Sequence, residues 1–564
     1  MFFSPITERS WRIRFLYASL YAALTLGAIT ILMPLLVMIA GSMDPTSGHK
    51  GFRLFPGYFF SDSSLWSSYI QSKYNQSPSA FRNFWNEPGA EIDELQSPAP
   101  PDSGRLALWD EFVAGIPEDD LVWVAGFMGN DRMPQQNRLA FSRWLLARFE
   151  GDLARLNAAL GTQFPTKSTI VPPNIGLAGA LLLRTPLVEA YIDFTREVLP
   201  PAQRIPLNAS GYYRSTFLPR VFGPDIQTFN KKYGTSFSSY SEVPFTSTVP
   251  TIGAEEWFQF ASKIIRPNFI ELTEAGAARQ KSSALPVADF IRLKSQPGDL
   301  RIRTIDMAYA ELASARGAAQ LEIPQKDIDA RDFLTRKGEL KRIFATQNYV
   351  VVLEEVLVQG RAIANTLILV TLCIAGTLIV NPLAAYALSR FRPRLTYQIL
   401  LFCLVTVALP AEVTMIPIFL QLKTFGLLNS FGALVIPTLA NGFSIFLLKG
   451  FFDSLPKELF EAAEIDGASE WTMFWQLTMT LSRPILAVLA LGAFVGAYGT
   501  FMYALILCPD PQMWTIMVYL FQLMQSVDTP VLYAALIISA IPTTLVFIFC
   551  QNIIMRGIVV PSEK

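Results

Sequence analysis

The chain has 564 residues, of which 51% are hydrophobic and only 16% charged, and its mean hydropathy is +0.33, too apolar for an ordinary soluble protein. Its 46 basic and 46 acidic residues balance, which argues against the basic footprint of a nucleic-acid partner and against a polybasic lipid-binding face. A single histidine, His49, leaves histidine metal clusters and Ser-His-Asp chemistry without a centre, so no metal, cofactor or catalytic set is expected.

The apolar residues are gathered in one block near the start and in a long tract from about Ala364 onward. A membrane-crossing helix needs about 20 predominantly apolar residues. The first candidate, Phe15 to Ile39, carries no charge and follows Arg9, Arg12 and Arg14, which places the N-terminus in the cytoplasm. A cleavable signal peptide would have a shorter apolar region.

Between that block and the tract, about 315 residues of ordinary globular composition form a domain, since so long a loop does not stay structureless. Segment 44–360 is therefore an extracytoplasmic insert, and its length makes translocation independent of its charge. It contains a repeat: "DLARLNAALGTQF" at Asp152 to Phe164 aligns with "DIQTFNKKYGTSF" at Asp225 to Phe237. Helices ending in proline, "WDEFVAGIP" and "IDFTREVLP", precede the two copies, and "WFQFASKIIRP" is a candidate third. Each copy predicts a helix stopped at a Gly-Thr turn, so the insert is expected to be mostly helical. Acidic residues such as Glu118, Asp119 and Asp120 read as a solvated turn and not as the facing carboxylates of a glycosidase.

Five more spans are predicted: Thr366 to Leu388, Gln398 to Leu420, Phe431 to Leu448, Ile485 to Leu507 and Val531 to Ile553. With the N-terminus inside, Arg390, Arg392 and Arg394 fall in the cytoplasm, as do Lys449, Lys457, Arg483, Arg556 and Lys564, so both termini are cytoplasmic. The four cysteines, Cys373, Cys403, Cys508 and Cys550, all sit in this tract and read as small buried hydrophobes.

Between the fourth and fifth spans lies a charged, small-residue segment, "PKELFEAAEIDGASEWTMFWQL". Ser454 is a candidate cap for a first short helix, Gly467 for a bend, and Ser469 for the cap of a second. Ala462, Ala463 and Ala468 keep the surface around the bend thin, while Glu461, Glu464 and Asp466 add charge. Nothing in the chain ends in the GK[ST] of a phosphate loop.

"EAAEIDGASEWTMFWQLTMTLSRPIL" resembles the EAA loop of ATP-binding-cassette importer permeases, with Glu461, Ala462, Ala463, Asp466, Gly467, Ala468, Phe474 and Pro484 at the pattern's positions. "PLLVMIAGSM", "NTLILVTLCIAGTLIVNPLAAYALSRF" and "LPAEVTMIPIFLQLKTFGLLNSFGALVIP" are similar to the six-span, maltose-type branch of carbohydrate permeases. The resemblance implies an all-α membrane protein with six transmembrane helices of the type-1 importer fold: first helix in 1–43, insert in 44–360, helices two to six in 361–564, and the EAA loop at 454–484. It implies a multi-pass subunit of the bacterial inner membrane that imports sugars or oligosaccharides. Its partners would be an ABC ATPase subunit dimer, a second permease, an extracytoplasmic solute-binding protein and the lipid bilayer, with ATP hydrolysed by the ATPase. Thr480 stands where the family commonly has proline, which implies a straighter approach to span five, and the tail "GIVVPSEK" only partly matches the family's C-terminus.

A sugar path needs hydrogen-bonding groups and aromatic faces in apolar helices. Asn441, Ser444 and Tyr498 are the candidates, with Phe443, Phe446 and Thr500 nearby, while Gly492 and Gly496 read as close-packing positions and Glu412 as an ionisable group in or near the membrane. Two other readings stay open: import of another organic solute, and a membrane-anchored carbohydrate-binding or processing protein. A segment of the insert, "FSRWLLARFEGDLARLNAALGTQFPTKSTIVPP", is also similar to a helix-turn segment of some β-galactosidase-like hydrolases, but it brings no catalytic carboxylate.

Overall fold

The computed structural model describes residues 11–45, 55–74, 78–85, 87, 91–116, 123–125, 135–165, 169–173, 185–200, 203–318, 321–358, 361–408, 410–525 and 527–557. Arg9, His49, Glu118, Asp119, Asp120 and Lys564 lie outside the described residues, as do the side chains of Arg12, Arg14, Glu412 and Arg556. The chain divides into two compact units, Met1–Asn348 and Tyr349–Lys564.

The first unit begins with α1 (Trp11–Ser42), whose portion Phe15–Ser42 is long and apolar enough to cross a membrane. The elements that matter next are α2 (Asp62–Lys73), α3 (Pro78–Trp85), α4 (Leu153–Leu160), α5 (Gln227–Tyr233), α6 (Ile305–Ala315) and α7 (Gln325–Val358). Two antiparallel ribbons accompany them, β1 (Trp123–Ala125) with β2 (Arg204–Pro206) and β3 (Ile270–Leu272) with β4 (Leu300–Ile302). With three residues per strand, these ribbons pin loops, and the helices carry the core.

That core is aromatic. Trp66 and Tyr69 of α2, Phe81 and Trp85 of α3 and Phe333 of α7 pack ring on ring. At its heart Asp329, fully buried, accepts hydrogen bonds from Lys73 Nζ at 2.7 Å, Tyr74 Oη at 2.6 Å, and Trp85 Nε1 and Gln325 Nε2 at 2.8 Å each. The carboxylate thus fastens α2 and α3 to α7, and burial beside it pushes the hydroxyls of Tyr69 and Tyr74 far above the ordinary tyrosine range. Asn348 Nδ2 donates to the carbonyls of Ser42 and Asp44 at 2.8 Å each and ties the end of α1 to α7.

The two repeated segments close in the same way. Asn157 Nδ2 donates to the Phe164 carbonyl while its Oδ1 accepts from Thr162 Oγ1 and the Phe164 N–H; Asn230 does the same with Phe237 and Thr235. Gly161 and Gly234 both take φ of +65°, the left-handed stop after α4 and α5.

In the second unit the helices are α8 (Arg361–Arg390), α9 (Thr396–Ala408), α10 (Ala411–Thr424), α11 (Phe431–Val435), α12 (Gly442–Asp453), α13 (Lys457–Ile465), α14 (Glu470–Leu481), α15 (Arg483–Tyr498), α16 (Met502–Leu507), α17 (Ile516–Met524) and α18 (Thr529–Gly557). Two of these, α8 and α18, are long and apolar enough to cross a membrane unbroken. The spans expected over Gln398 to Leu420, Phe431 to Leu448 and Ile485 to Leu507 are each interrupted instead. Pro410 caps α10 in an extended conformation, because proline has no N–H to continue α9. A short 3₁₀ turn at Ile436–Thr438 separates α11 from α12, with a 46° bend between the two halves. The expected fifth span stops at Tyr498, and α16 begins afresh at Met502. All four cysteines are free, with Cys373 and Cys508 buried and Cys403 and Cys550 partly exposed.

Replacing Lys73 by Met leaves Asp329 charged and buried without its cation, so the first unit should lose about 3–5 kcal/mol of stability. Denaturant titration of tryptophan fluorescence on the full chain measures this, and a loss below about 1 kcal/mol would mean that the neutral donors hold the carboxylate unaided.

Candidate functional site

The acidic segment between α12 and α15 folds as two short helices joined at Gly467, whose φ is +75°. A Cβ at this glycine would meet nothing within 4 Å, so the demand for glycine comes from the backbone conformation and not from crowding. Ser469 caps α14 by accepting from the Thr472 N–H. Ser454 does not cap α13, contrary to expectation: its hydroxyl turns back to the Phe451 carbonyl and ends α12, and the residue at the start of α13 is Pro456. A proline suits that place, since the missing N–H would have had no helical partner.

One face of this loop is docked. Phe460, Met473 and Phe474 are buried with Ala385 and Tyr386 of α8, Leu448 and Phe452 of α12, and Leu486 and Leu489 of α15. Arg390, the last residue of α8, pairs with both Glu464 and Glu470 and lies 5.5 Å from the Phe460 ring centroid. Tyr386 Oη donates to Glu470 as well. Ala463 and Ala468 pack against the same core. The opposite face is open: Glu461, Ala462, Asp466 and Gly467 are exposed, and so are Ile465 (86%) and Trp471 (62%), two large apolar side chains left in solvent.

The α14 to α15 junction is bent by 81°. The straighter approach expected from Thr480 is therefore not found: Ser482 leaves the helical conformation and Pro484 restarts the helix, so the turn is made two to four residues after Thr480.

Above the loop, in the same unit, α8, α11, α12 and α15 enclose a cavity of about 490 Å³. Asn441, Ser444 and Thr500 line it, with Phe443, Cys373, Thr377 and Thr438. The described lining carries hydroxyl, amide and thiol groups and no charged side chain. Gly492 and Gly496, expected at close helix contacts, face this open space, and a Cβ at either meets nothing within 4 Å. Close approaches are at Gly442, where a Cβ would lie 2.2 Å from the Cys403 carbonyl oxygen of α9, and at Gly376 of α8, where a Cβ would lie 2.3 Å from Leu439 Cδ2.

Asn441 is held as a helix cap. Its Oδ1 accepts from the Ser444 N–H and its own N–H donates to Asn381 Oδ1, each at 2.8 Å. Asn381 is wholly buried in α8 and escaped the sequence reading, which offered no signal beyond an amide within an apolar run. Tyr498 is absent from the lining; its hydroxyl donates to the Ser539 carbonyl of α18. Among the described residues no group of three or more His, Cys, Asp or Glu is placed to hold a metal.

The second unit thus sets broken apolar helices around a polar-lined cavity and docks a glycine-hinged loop, one face exposed, on the ends of α8, α12 and α15. Residues 380–560 match the family described as binding-protein-dependent transport system inner membrane component. The chain is 31% identical over 202 residues to the diacetylchitobiose uptake system permease NgcG of Streptomyces coelicolor, covering 34% of this chain and 66% of that one. It is 33% identical to the probable ABC transporter permease YurM of Bacillus subtilis, covering 36% and 68%, and 30% identical to the sn-glycerol-3-phosphate permease UgpE of Yersinia enterocolitica, covering 36% and 74%. The chain belongs to this family of inner membrane transport components. It spans about two thirds of the length of the first of these relatives, and the family match lies wholly within the second unit.

Replacing Arg390 by Gln removes the clamp on Glu464 and Glu470 but leaves the apolar dock. Because these groups are partly exposed, the effect should be about 0.5–1 kcal/mol, seen as a roughly two- to fivefold faster amide hydrogen exchange across 457–472. Unchanged exchange there would assign the docking to Phe460, Phe474 and Tyr386 alone.

Proposed function

We propose that this chain is the permease subunit of an ATP-driven, binding-protein-dependent importer, and that its solute is a neutral sugar or oligosaccharide. The observation that carries the reading is the exposed side of the loop, where Ile465 and Trp471 stand in solvent beside the thin surface of Ala462 and Gly467. Exposed apolar residues around a close-approach backbone suit a protein groove. Since the chain has no phosphate loop, the groove belongs to an ABC ATPase subunit that hydrolyses ATP. In this reading a second permease and an extracytoplasmic solute-binding protein complete the assembly.

The topology that goes with it has six spans, both termini in the cytoplasm and the insert outside. Spans three, four and five are then broken helices, a form tolerated at membrane depth where the freed backbone groups line a cavity or are bonded by neighbours. Asn441, Ser444 and Thr500 serve as hydrogen-bonding groups of the path, and Tyr498 as a support for α15 through α18. Of the relatives, one is named for diacetylchitobiose uptake and another for sn-glycerol-3-phosphate transport. The uncharged described lining favours the neutral solute, because a phosphate in a dry cavity needs cationic or amide donors.

The test is a matched pair of loop variants. Gly467→Val should reduce uptake of labelled oligosaccharide at least about tenfold with membrane insertion intact, whereas Gly467→Asn, which tolerates positive φ, should retain most of it. Equal uptake by all three proteins would refute the coupling role. For topology, cysteines at Ser215 and Ser469, in a background without the native four, should label from opposite sides of an intact membrane; labelling from one side would overturn the six-span arrangement.

A further inference from the structure

The first unit holds its own cavity, about 1010 Å³, between α3, α6 and the start of α7. This is at the upper end of the size of small-molecule sites. Apart from Asp306, its charged lining residues are paired: Arg214 with Glu322, Lys326 with Glu87 at 2.9 Å, Glu311 with Arg301 at 2.8 Å, and Arg105 with Asp327 at 2.9 Å. What is left over are two acceptors. Asp306, 4% exposed, accepts the Ser210 N–H through Oδ2 at 2.7 Å, but its Oδ1 has no hydrogen-bond partner among the described residues. Gln325, 2% exposed, donates through Nε2 to Asp329, which fixes its amide orientation and leaves Oε1 equally without a partner.

A buried acceptor left unmade costs about 1–3 kcal/mol, and Asp306 and Gln325 both belong to the cavity lining, so a small side-chain rotation that turns these acceptors into the space is favoured by a ligand rich in donors. Phe245, Met307 and Ile323 supply an apolar wall beside them. Donors together with an apolar C–H face, in a space without an unpaired cation, fit a polyol better than an anion. We infer that this cavity is a binding site for a neutral oligosaccharide, with Asp306 Oδ1 and Gln325 Oε1 accepting from its hydroxyls. The site belongs to the first unit and does not rest on the importer reading, because it is assayed by equilibrium binding without ATP or partner subunits.

The experiment uses the full chain in detergent or nanodiscs, with maltotetraose, cellotetraose and chitotetraose as probes and spermidine as the cationic competitor, read by calorimetry. At least one tetrasaccharide should bind at micromolar to low millimolar concentration. Asp306→Asn keeps the acceptor for Ser210 but turns a donor toward the cavity, and should weaken binding about tenfold. Ala315→Trp, from an exposed position on the rim, should abolish it with no change in melting temperature. Binding of none of the sugars, binding of spermidine in their place, or affinities unchanged in both folded variants would overturn the inference.

Discussion

The second unit turns on one hydrogen bond, from the backbone N–H of Asn441 to the side chain of buried Asn381. In a hydrocarbon environment a helix can break only if the released backbone groups find partners within the protein. Asn381 provides that partner from α8, and Asn441 then caps α12 with its own side chain. The break between α11 and α12 is thereby made stable, and the walls it separates are those of the cavity. Gly442, next in sequence, lets α9 lie against the broken point. An Asn pair and a glycine thus do what an unbroken apolar helix could not: they open a polar-lined space inside a bundle of otherwise featureless segments.

The first unit depends on a different constraint, the cost of burying a carboxylate. Asp329 is stabilised because it gathers four donors, from α2 and its C-cap Tyr74, from α3 and from α7, and each of these elements is fixed by the same set of bonds. The aromatic packing around it supplies the free energy of burial but little direction, since rings tolerate several arrangements. The donors to Asp329 select one.

The sequence made some of this legible and concealed the rest for physical reasons. The glycine bend at Gly467 and the cap at Ser469 were readable because their chemistry is local, set by φ and by a bond three residues away. So was the helix-stop at Gly161 and Gly234, where an asparagine, a threonine and a glycine recur at fixed spacing. The interruptions of the apolar tract were missed because hydropathy is blind to where a helix is cut; Pro410 and Pro437 mark two of them, but the partner that stabilises the second, Asn381, lies 60 residues away in sequence. Ser454 misled for a related reason: a serine between two helices can accept from an N–H of the second or donate to a carbonyl of the first, and here the Phe451 carbonyl takes it. Arg390 was noticed for its charge alone, while its role as a clamp on Glu464 and Glu470 depends on the fold.

These local features join into one mechanical element. The loop is docked on the ends of α8, α12 and α15, and α14 meets α15 through a sharp 81° turn with no flexible linker between them. Under the proposed coupling role, because bending a helix breaks backbone bonds, a push on the exposed face around Ile465 and Trp471 would reach α15 at Pro484. That helix carries Gly492 and Gly496 along the cavity wall, where a Cβ at either would meet nothing within 4 Å, so the two glycines widen the space. The sites that sequence pattern would assign to tight packing thus keep the cavity open instead. The tight contacts lie elsewhere: a Cβ at Gly442 would meet the Cys403 carbonyl of α9, and a Cβ at Gly376 of α8 would meet the Leu439 side chain, so glycine serves closeness at these two positions and open space at the other two.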